Sequence, residues 1–352
     1  MTNKKEYQLA IVGLGGMGNW HREILSSIDG IKVVGVYDIK QDRMDYGKEC
    51  GLIPYESLDS LLEDETVDII LIATPNDEHK PIAVKALRAG KHVVCEKPVT
   101  LSSADLTEMM EAQKETGNFL TVHQNRRWDE DFLTIKNIYD NNYLGELFRI
   151  ESRVHGSRGI PGDWRQEKEK GGGMVLDWGV HLLDQILLML PGLKLKSVHG
   201  TVTNITNQLV DDGFTATLVF ENGIEAYVEV GTNNFISLPR WYVLGQNGTA
   251  IIEDWSLNGR MVLASGVDEK DVVPVRTAAG LTKTMAPRRD DTIRTEELPI
   301  VRSDIKEFYG NVIDVLEGRA ESRIKLDEVM RVMKLMEAIF ESASKNQVVD
   351  FE

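Results

Sequence analysis

The apolar positions in the first third of the chain fall into short continuous runs separated by helix-like stretches. Gln8–Val12, Ile31–Tyr37, Asp68–Thr74, His92–Lys97 and Phe119–His123 each read as a strand. Residues 69–72 are apolar without a break, as a parallel strand buried on both faces requires. Asn19–Ser27, Glu78–Ala89 and Ser103–Glu115 read as helices, the last two stopped by Gly90 and Gly117. This alternation predicts a doubly wound α/β domain over residues 1–124.

Beyond residue 124 the period changes. A helix is expected near Glu130–Tyr139. Phe214–Phe220 and Ile224–Val230 alternate about a turn at Glu221-Asn222-Gly223, and Arg240–Leu244 and Thr249–Glu253 flank a second turn at Gln246-Asn247-Gly248. Helices over Asp304–Leu316 and Leu326–Ser344 finish the chain. Residues 265–300, rich in charge and threonine, read as loops with short strands. Residues 125–352 are therefore expected to form an α+β domain on a mostly antiparallel sheet.

One apolar stretch carries polar exceptions in register. After Gly171-Gly172-Gly173 the chain reads as a helix, apolar nearly throughout to Leu190 except for Asp177, His181 and Asp184. At about 100° per residue these three share roughly 60° of arc. A helix apolar all round is buried, so a polar stripe on it needs partners or a cavity. Asp177 and His181, one turn apart, suit acid/base work. The alternatives are an aspartate bonded to the glycine turn, a histidine satisfied within the core, or a metal pair. No further ligand stands at useful spacing, so no metal is expected.

The first strand runs into Gly13-Leu14-Gly15-Gly16-Met17-Gly18 and a helix; the second ends at Asp38, twenty residues after the last glycine. Strand, G-x-G-x-x-G, helix, strand and acid is the arrangement of a dinucleotide site. Gly13 makes the turn, Gly15 admits the pyrophosphate, and Gly18 lets helix and strand pack. Gly16, Met17 and the helix N-terminus line the phosphates. Asp38 can accept from both ribose hydroxyls of NAD and would repel the 2′-phosphate of NADP; Lys40 and Arg43 offset that in part. NAD is the expected cofactor, NADP less so. Ligands of such sheets bind beyond the strands' carboxyl ends. The same edge should carry Thr74-Pro75-Asn76 and Glu96-Lys97-Pro98. Pro98 holds Lys97 extended, so its side chain can project from the strand end.

Composition narrows the partners. A net charge of −16 argues against nucleic acid or an anionic membrane. No run approaches a membrane span, and Met1–Glu6 has no apolar h-region behind it, so neither an anchor nor a signal peptide is expected. Two cysteines, Cys50 and Cys95, in different elements fit a reducing cytoplasm.

Taken together, the glycine turn, Glu96-Lys97-Pro98 and G-G-G-x-x-x-D-x-G-x-H-x-x-D resemble the Gfo/Idh/MocA oxidoreductases. The resemblance implies a Rossmann domain followed by an α+β domain with a large open sheet, a homodimer or homotetramer built through that sheet, and NAD(P)-dependent oxidation or reduction of sugars, inositols and related polyols. It implies that Lys97 contacts the reacting hydroxyl and the nicotinamide ribose, that Asp177 orients the substrate or His181, and that His181 is the acid/base. It adds Glu96, Trp164 and Arg165 to the cofactor's contacts, and Arg127, Arg158 and Trp164 to the substrate's. Gln124-Asn125-Arg126-Arg127-Trp128-Asp129 is similar to a subgroup that includes scyllo-inositol dehydrogenase-like proteins. Two alternatives stand beside this reading. One is oxidation of a glycoside at C3 with retained NAD(H) recycled by a keto-sugar, the segment Arg153–Trp164 serving as a lid. The other is a non-catalytic nicotinamide-binding regulator.

Overall fold

The computed structural model of the chain describes residues 6–265 and 273–351. Part of the 265–300 stretch, residues 266–272, lies outside the described residues. The first unit is a six-stranded sheet of β1 (Tyr7–Val12), β2 (Ile31–Tyr37), β3 (Ile53–Pro54), β4 (Ile69–Ile72), β5 (His92–Cys95) and β6 (Leu120–Val122), in the order β3-β2-β1-β4-β5-β6. All its pairings are parallel. Helices α1 (Gly16–Leu25), α2 (Gln41–Glu49), α3 (Leu58–Glu63), α4 (His79–Arg88) and α5 (Ser103–Thr116) connect the strands. Every residue of β4 is buried, as its unbroken apolar run required. The strand order reverses between β1 and β4, which opens the crevice where such sheets bind ligands.

The second unit is a nine-stranded sheet with α6 (Glu130–Asp140), α7 (Val180–Met189), α8 (Lys306–Leu316) and α9 (Leu326–Lys345). Its strands are β7 (Leu147–His155), β8 (Leu195–Thr203), β9 (Gly213–Phe220), β10 (Glu225–Gly231), β11 (Trp241–Gly245), β12 (Gly248–Ile252), β13 (Gly259–Ala264), β16 (Ile293–Glu296) and β17 (Val349–Asp350). Strands β14 (Val275–Thr277) and β15 (Gly280–Thr282) form a separate ribbon. The sheet is antiparallel except at β7 and β10, which run parallel. In β9 and β10 buried positions alternate with partly exposed ones, so one face packs on helices. Both hairpins expected from the sequence, β9–β10 and β11–β12, are present.

Buried polar contacts lock α6 and α7 to this sheet. The Asp131 carboxylate on α6 accepts from the Trp241 indole at 2.9 Å and stands 3.0 Å from Nε of Arg240; Asp131 and Arg240 are both 3% exposed. Arg240 also donates to Ser152 on β7 and to Gln185 on α7, while Gln185 donates to the Arg126 carbonyl. Helix α9 reaches back to the first unit, where Glu337 accepts from the backbone and hydroxyl of Ser103 at the start of α5. A carboxylate there also meets the positive end of the helix dipole. No helix among the described residues is long and apolar enough to cross a membrane.

Asp131→Ala would leave the Arg240 guanidinium buried without its counter-charge. The variant should lose about 3–5 kcal/mol of stability in urea unfolding. A loss below about 1 kcal/mol would mean that Ser152 and Gln185 suffice to hold Arg240.

Candidate active site

The carboxyl ends of β1, β4, β5 and β6 carry Gly13, Thr74, Lys97 and Gln124 onto one edge of the first sheet. The glycine turn fits a dinucleotide. Gly13 has φ +94°, and a Cβ on it would lie 2.7 Å from the Ala73 carbonyl oxygen. A Cβ on Gly18 would lie 2.0 Å from the Gly13 carbonyl oxygen. At Gly15 and Gly16 an added Cβ meets nothing within 4 Å, so the turn is open where phosphates would approach α1. Asp38 braces this turn: one oxygen accepts from the Leu14 N–H at 2.8 Å, the other from the Lys40 N–H at 2.9 Å. Met17 is exposed beside it. In the Thr74-Pro75-Asn76 segment, the Thr74 hydroxyl is buried with no partner among the described residues, and Asn76 donates to the Gly171 carbonyl of the second unit at 3.0 Å.

The glycine triplet and the helix after it are shaped differently from the sequence expectation. Val175–Gly179 is a π-helix, and the α-helix begins only at Val180. Gly179 permits the close approach of this widened turn to β9: a Cβ there would sit 3.0 Å from the Phe214 ring. The extra residue in the turn breaks the α-helical register, and Asp177 does not pair with His181. Instead Lys97 donates from Nζ to the Asp177 carboxylate and to its backbone carbonyl, each at 3.0 Å. Nε of Arg165 stands 3.4 Å from the other Asp177 oxygen, and the same guanidinium bonds Asp163 and lies over the Trp164 ring. Burial opposes the charge on Asp177, but Lys97 and Arg165 outweigh it and lower its pKa.

His181 is 5% exposed, and its Nδ1 has no partner among the described residues. Burial, then the nearby Lys97 and Arg126 cations, hold its pKa well below the ordinary value. The ring is neutral at physiological pH.

Other expected site residues serve elsewhere. Asp184 is buried and takes a two-pronged contact from Arg127 at 2.8 and 2.6 Å. Both Nη1 hydrogens of Arg127 go to Glu328 and the Arg323 carbonyl, so four of its five donors are turned into the core. Arg158 is exposed after β7 and makes no hydrogen bond to the site among the described residues. The Glu96 carboxylate turns inward. One oxygen bonds Nε2 of His21 and Nδ1 of His123, each at 2.7 Å, and the other accepts from the Lys97 backbone N–H. Tyr309 of α8 bonds the far nitrogen of His21 at 2.5 Å. Burial opposes the Glu96 charge, but the two histidines hold its pKa well below the usual range, while burial brings His21 down to about 4.

The sequence reading missed His21, His123, Arg126, Trp178 and Asp211. Of the pair Arg126-Arg127 it chose Arg127, but a turn of 3-10 helix over Asn125–Trp128 sends Arg127 into the core and lays Arg126 over the Trp178 ring at 4.2 Å. Trp178 lies 5.8 Å from the His181 ring. Asp211 holds the glycine triplet, its side chain accepting from the Val175 N–H at 2.7 Å and its carbonyl from the Met174 N–H at 3.0 Å. No sequence pattern linked these positions to the turn; only its position beside Asp212 marked Asp211.

Residues 7–124 match the family model described as an oxidoreductase family with an NAD-binding Rossmann fold, and residues 132–251 match the C-terminal domain model of GFO/IDH/MocA proteins. An NAD-binding protein from Listeria innocua has a solved structure that superposes with a TM-score of 0.95 at 50% identity, over 98% of this chain and 99% of that one. The uncharacterised oxidoreductase YdgJ of Escherichia coli is 31% identical over 80% of this chain and 81% of its own length. The scyllo-inositol 2-dehydrogenase (NADP(+)) IolW of Bacillus subtilis is 23% identical over 98% of this chain and 96% of its own length.

Burial raises the Asp211 carboxyl to about 7, with the neighbouring Asp212 charge acting in the same direction and the N–H bonds opposing it. Between its ordinary value and about 7 the folded chain holds a proton that the unfolded chain releases. Its contribution to stability is therefore present at low pH and lost as pH rises through about 7. Relative to the native chain, Asp211→Asn should gain stability from pH ~4 to ~7, by at most roughly 4 kcal/mol. A difference that stays flat across that interval, in denaturant titrations, would show Asp211 to be ionised throughout.

Proposed function

The chain belongs to the GFO/IDH/MocA oxidoreductase family, and on that premise we propose that it moves hydride between NAD and a secondary carbinol of a sugar, inositol or related polyol. The observation that carries this reading is the Lys97–Asp177 contact at the sheet edge that also bears the glycine turn, with His181 near enough for the Lys97 charge to lower its pKa. Bound NAD would supply the hydride acceptor. The open turn at Gly15-Gly16, the N-terminus of α1, Asp38 and residues 74–76 are the groups that would hold it, with Trp164 and Arg165 reaching from the second unit. Both Asp38 oxygens keep lone pairs for ribose hydroxyls, and their charge disfavours a 2′-phosphate. This chain is therefore read as preferring NAD, although the Bacillus subtilis relative is named for NADP(+). That relative's name also supports a polyol as the substrate class.

The residues divide the work. An ammonium group has three N–H donors, and Lys97 commits two of them to Asp177. The third is left for a substrate oxygen, where its charge favours developing alkoxide. Asp177 keeps Lys97 and Arg165 in place and neutralises part of their charge. Neutral His181 can take the hydroxyl proton. With Nδ1 buried, Nε2 is the nitrogen left for that task. Its imidazolium is costly in this setting, so it gives the proton up readily when the reaction runs toward the alcohol.

His181→Ala should lower kcat about 10²–10⁴-fold without loss of NAD binding. The assay is reduced-nicotinamide absorbance with NAD or NADP and a panel of inositols, hexoses and glycosides. Full turnover by that variant would remove His181 from the acid/base role. The lowered His181 pKa also has a sign. The acid limb of kcat/KM for oxidation should lie below pH 6.5, where the neutral ring begins to be lost. A limb above pH 7 would contradict the assignment.

A further inference from the structure

A second aromatic wall stands beyond the histidine. Trp255 lies in the short connection between β12 and β13, and it is 52% exposed. An exposed tryptophan on a loose loop would have no fixed place, but this connection is braced. The Asp254 carboxylate accepts from the Ser256 N–H at 2.9 Å and from the Asn258 side chain at 2.8 Å. The Glu253 N–H donates to the Asn258 carbonyl at 2.7 Å, and Leu257 takes a left-handed conformation at φ 63°.

The ring is also held from below. Arg126 stands 4.2 Å from the Trp178 ring centre and 5.3 Å from that of Trp255. Arg240 stands 4.9 Å from Trp255 and 5.0 Å from Trp241. The Trp178 and Trp255 rings are 6.0 Å apart, and Trp178 is 5.8 Å from His181. Guanidinium and indole groups therefore alternate from beside the proposed base to the protein surface. Arg240 is fixed by Asp131, and Arg126 donates to Asp129 at 2.9 Å. The outer ring is thus pre-positioned, and the apolar surface it exposes is available to a ligand.

From this geometry we infer that Trp255 is the wall of a subsite for a second ring, and that the preferred substrate is a glycoside rather than a free monosaccharide. The inference rests on the proposed hydride transfer at His181. A reacting ring seated against His181 and Trp178 puts the next ring of the same molecule, sugar or aromatic aglycone, level with Trp255. Its flat C–H or aromatic face can then stack on the indole. A free monosaccharide or an inositol has no group at that depth.

The test compares matched pairs: glucose, galactose and mannose against their methyl, p-nitrophenyl and β-linked disaccharide glycosides, with myo-inositol and scyllo-inositol as single-ring controls. The readout is the ratio of kcat/KM for glycoside to that for the free sugar, in the native chain, Trp255→Phe and Trp255→Ala. The native chain should favour at least one two-ring glycoside over its free sugar. That ratio should fall about tenfold in Trp255→Ala and less in Trp255→Phe. A merely structural role would lower both substrates together and leave the ratio unmoved, which would overturn the subsite. A native chain that favours free sugars or inositols throughout would overturn it as well. Absence of turnover with every member of the panel would instead overturn the proposed function, and the subsite with it.

Discussion

A half-buried carboxylate between two cations joins the halves of this molecule. Lys97 comes from the end of a parallel strand, Arg165 from a 3-10 turn, and Asp177 from the widened turn before α7. Each charge is partly withdrawn from water there, at a cost that its opposite partner offsets. The position of the lysine ammonium thus follows from the requirement that opposite charges from separately folded sheets meet. The second sheet, with its helices, presents Asp177 and His181 from a fixed frame. That frame is in turn fixed by Asp131, Arg240 and Gln185.

Most of the parallel half was legible from the sequence because its physics is local, although α2, β3 and α3 went unread. Continuous apolar runs, helix stops and the spacing from Gly18 to Asp38 are properties of neighbouring residues. The nine-stranded sheet was legible only where a hairpin turn marks it, at Asn222-Gly223 and Asn247-Gly248. Strands β7 and β8 went unseen. β7 pairs with β10 and β11, far along the chain, and nothing in its own sequence announces those partners.

The candidate site divides along the same line. Lys97, Asp177 and His181 stand out as polar groups in apolar company, and the structure pairs the first two. Their pairing was not legible, since the period of an α-helix was assumed where one residue more is accommodated at Gly179. Whether Arg126 or Arg127 turns outward depends on a single turn of 3-10 helix, which no propensity decides. Asp184 and Glu328 then claim Arg127, and those contacts span much of the chain.

The histidine pair beneath Lys97 has a bearing on how such a molecule can be rebuilt. Glu96 binds His21 and His123 from within the first unit, but the phenol that completes the chain of hydrogen bonds belongs to Tyr309, close to the end of the sequence. The aromatic ring of Phe308 packs against His123 from the same helix. The nucleotide-binding half is therefore not a transplantable cassette. Exchanged onto another relative's catalytic half, it would inherit a floor cut for a different helix, and the strand end that presents the lysine would rest on mismatched neighbours. Chimaeras of such enzymes should be cut so that α8 travels with the amino-terminal sheet.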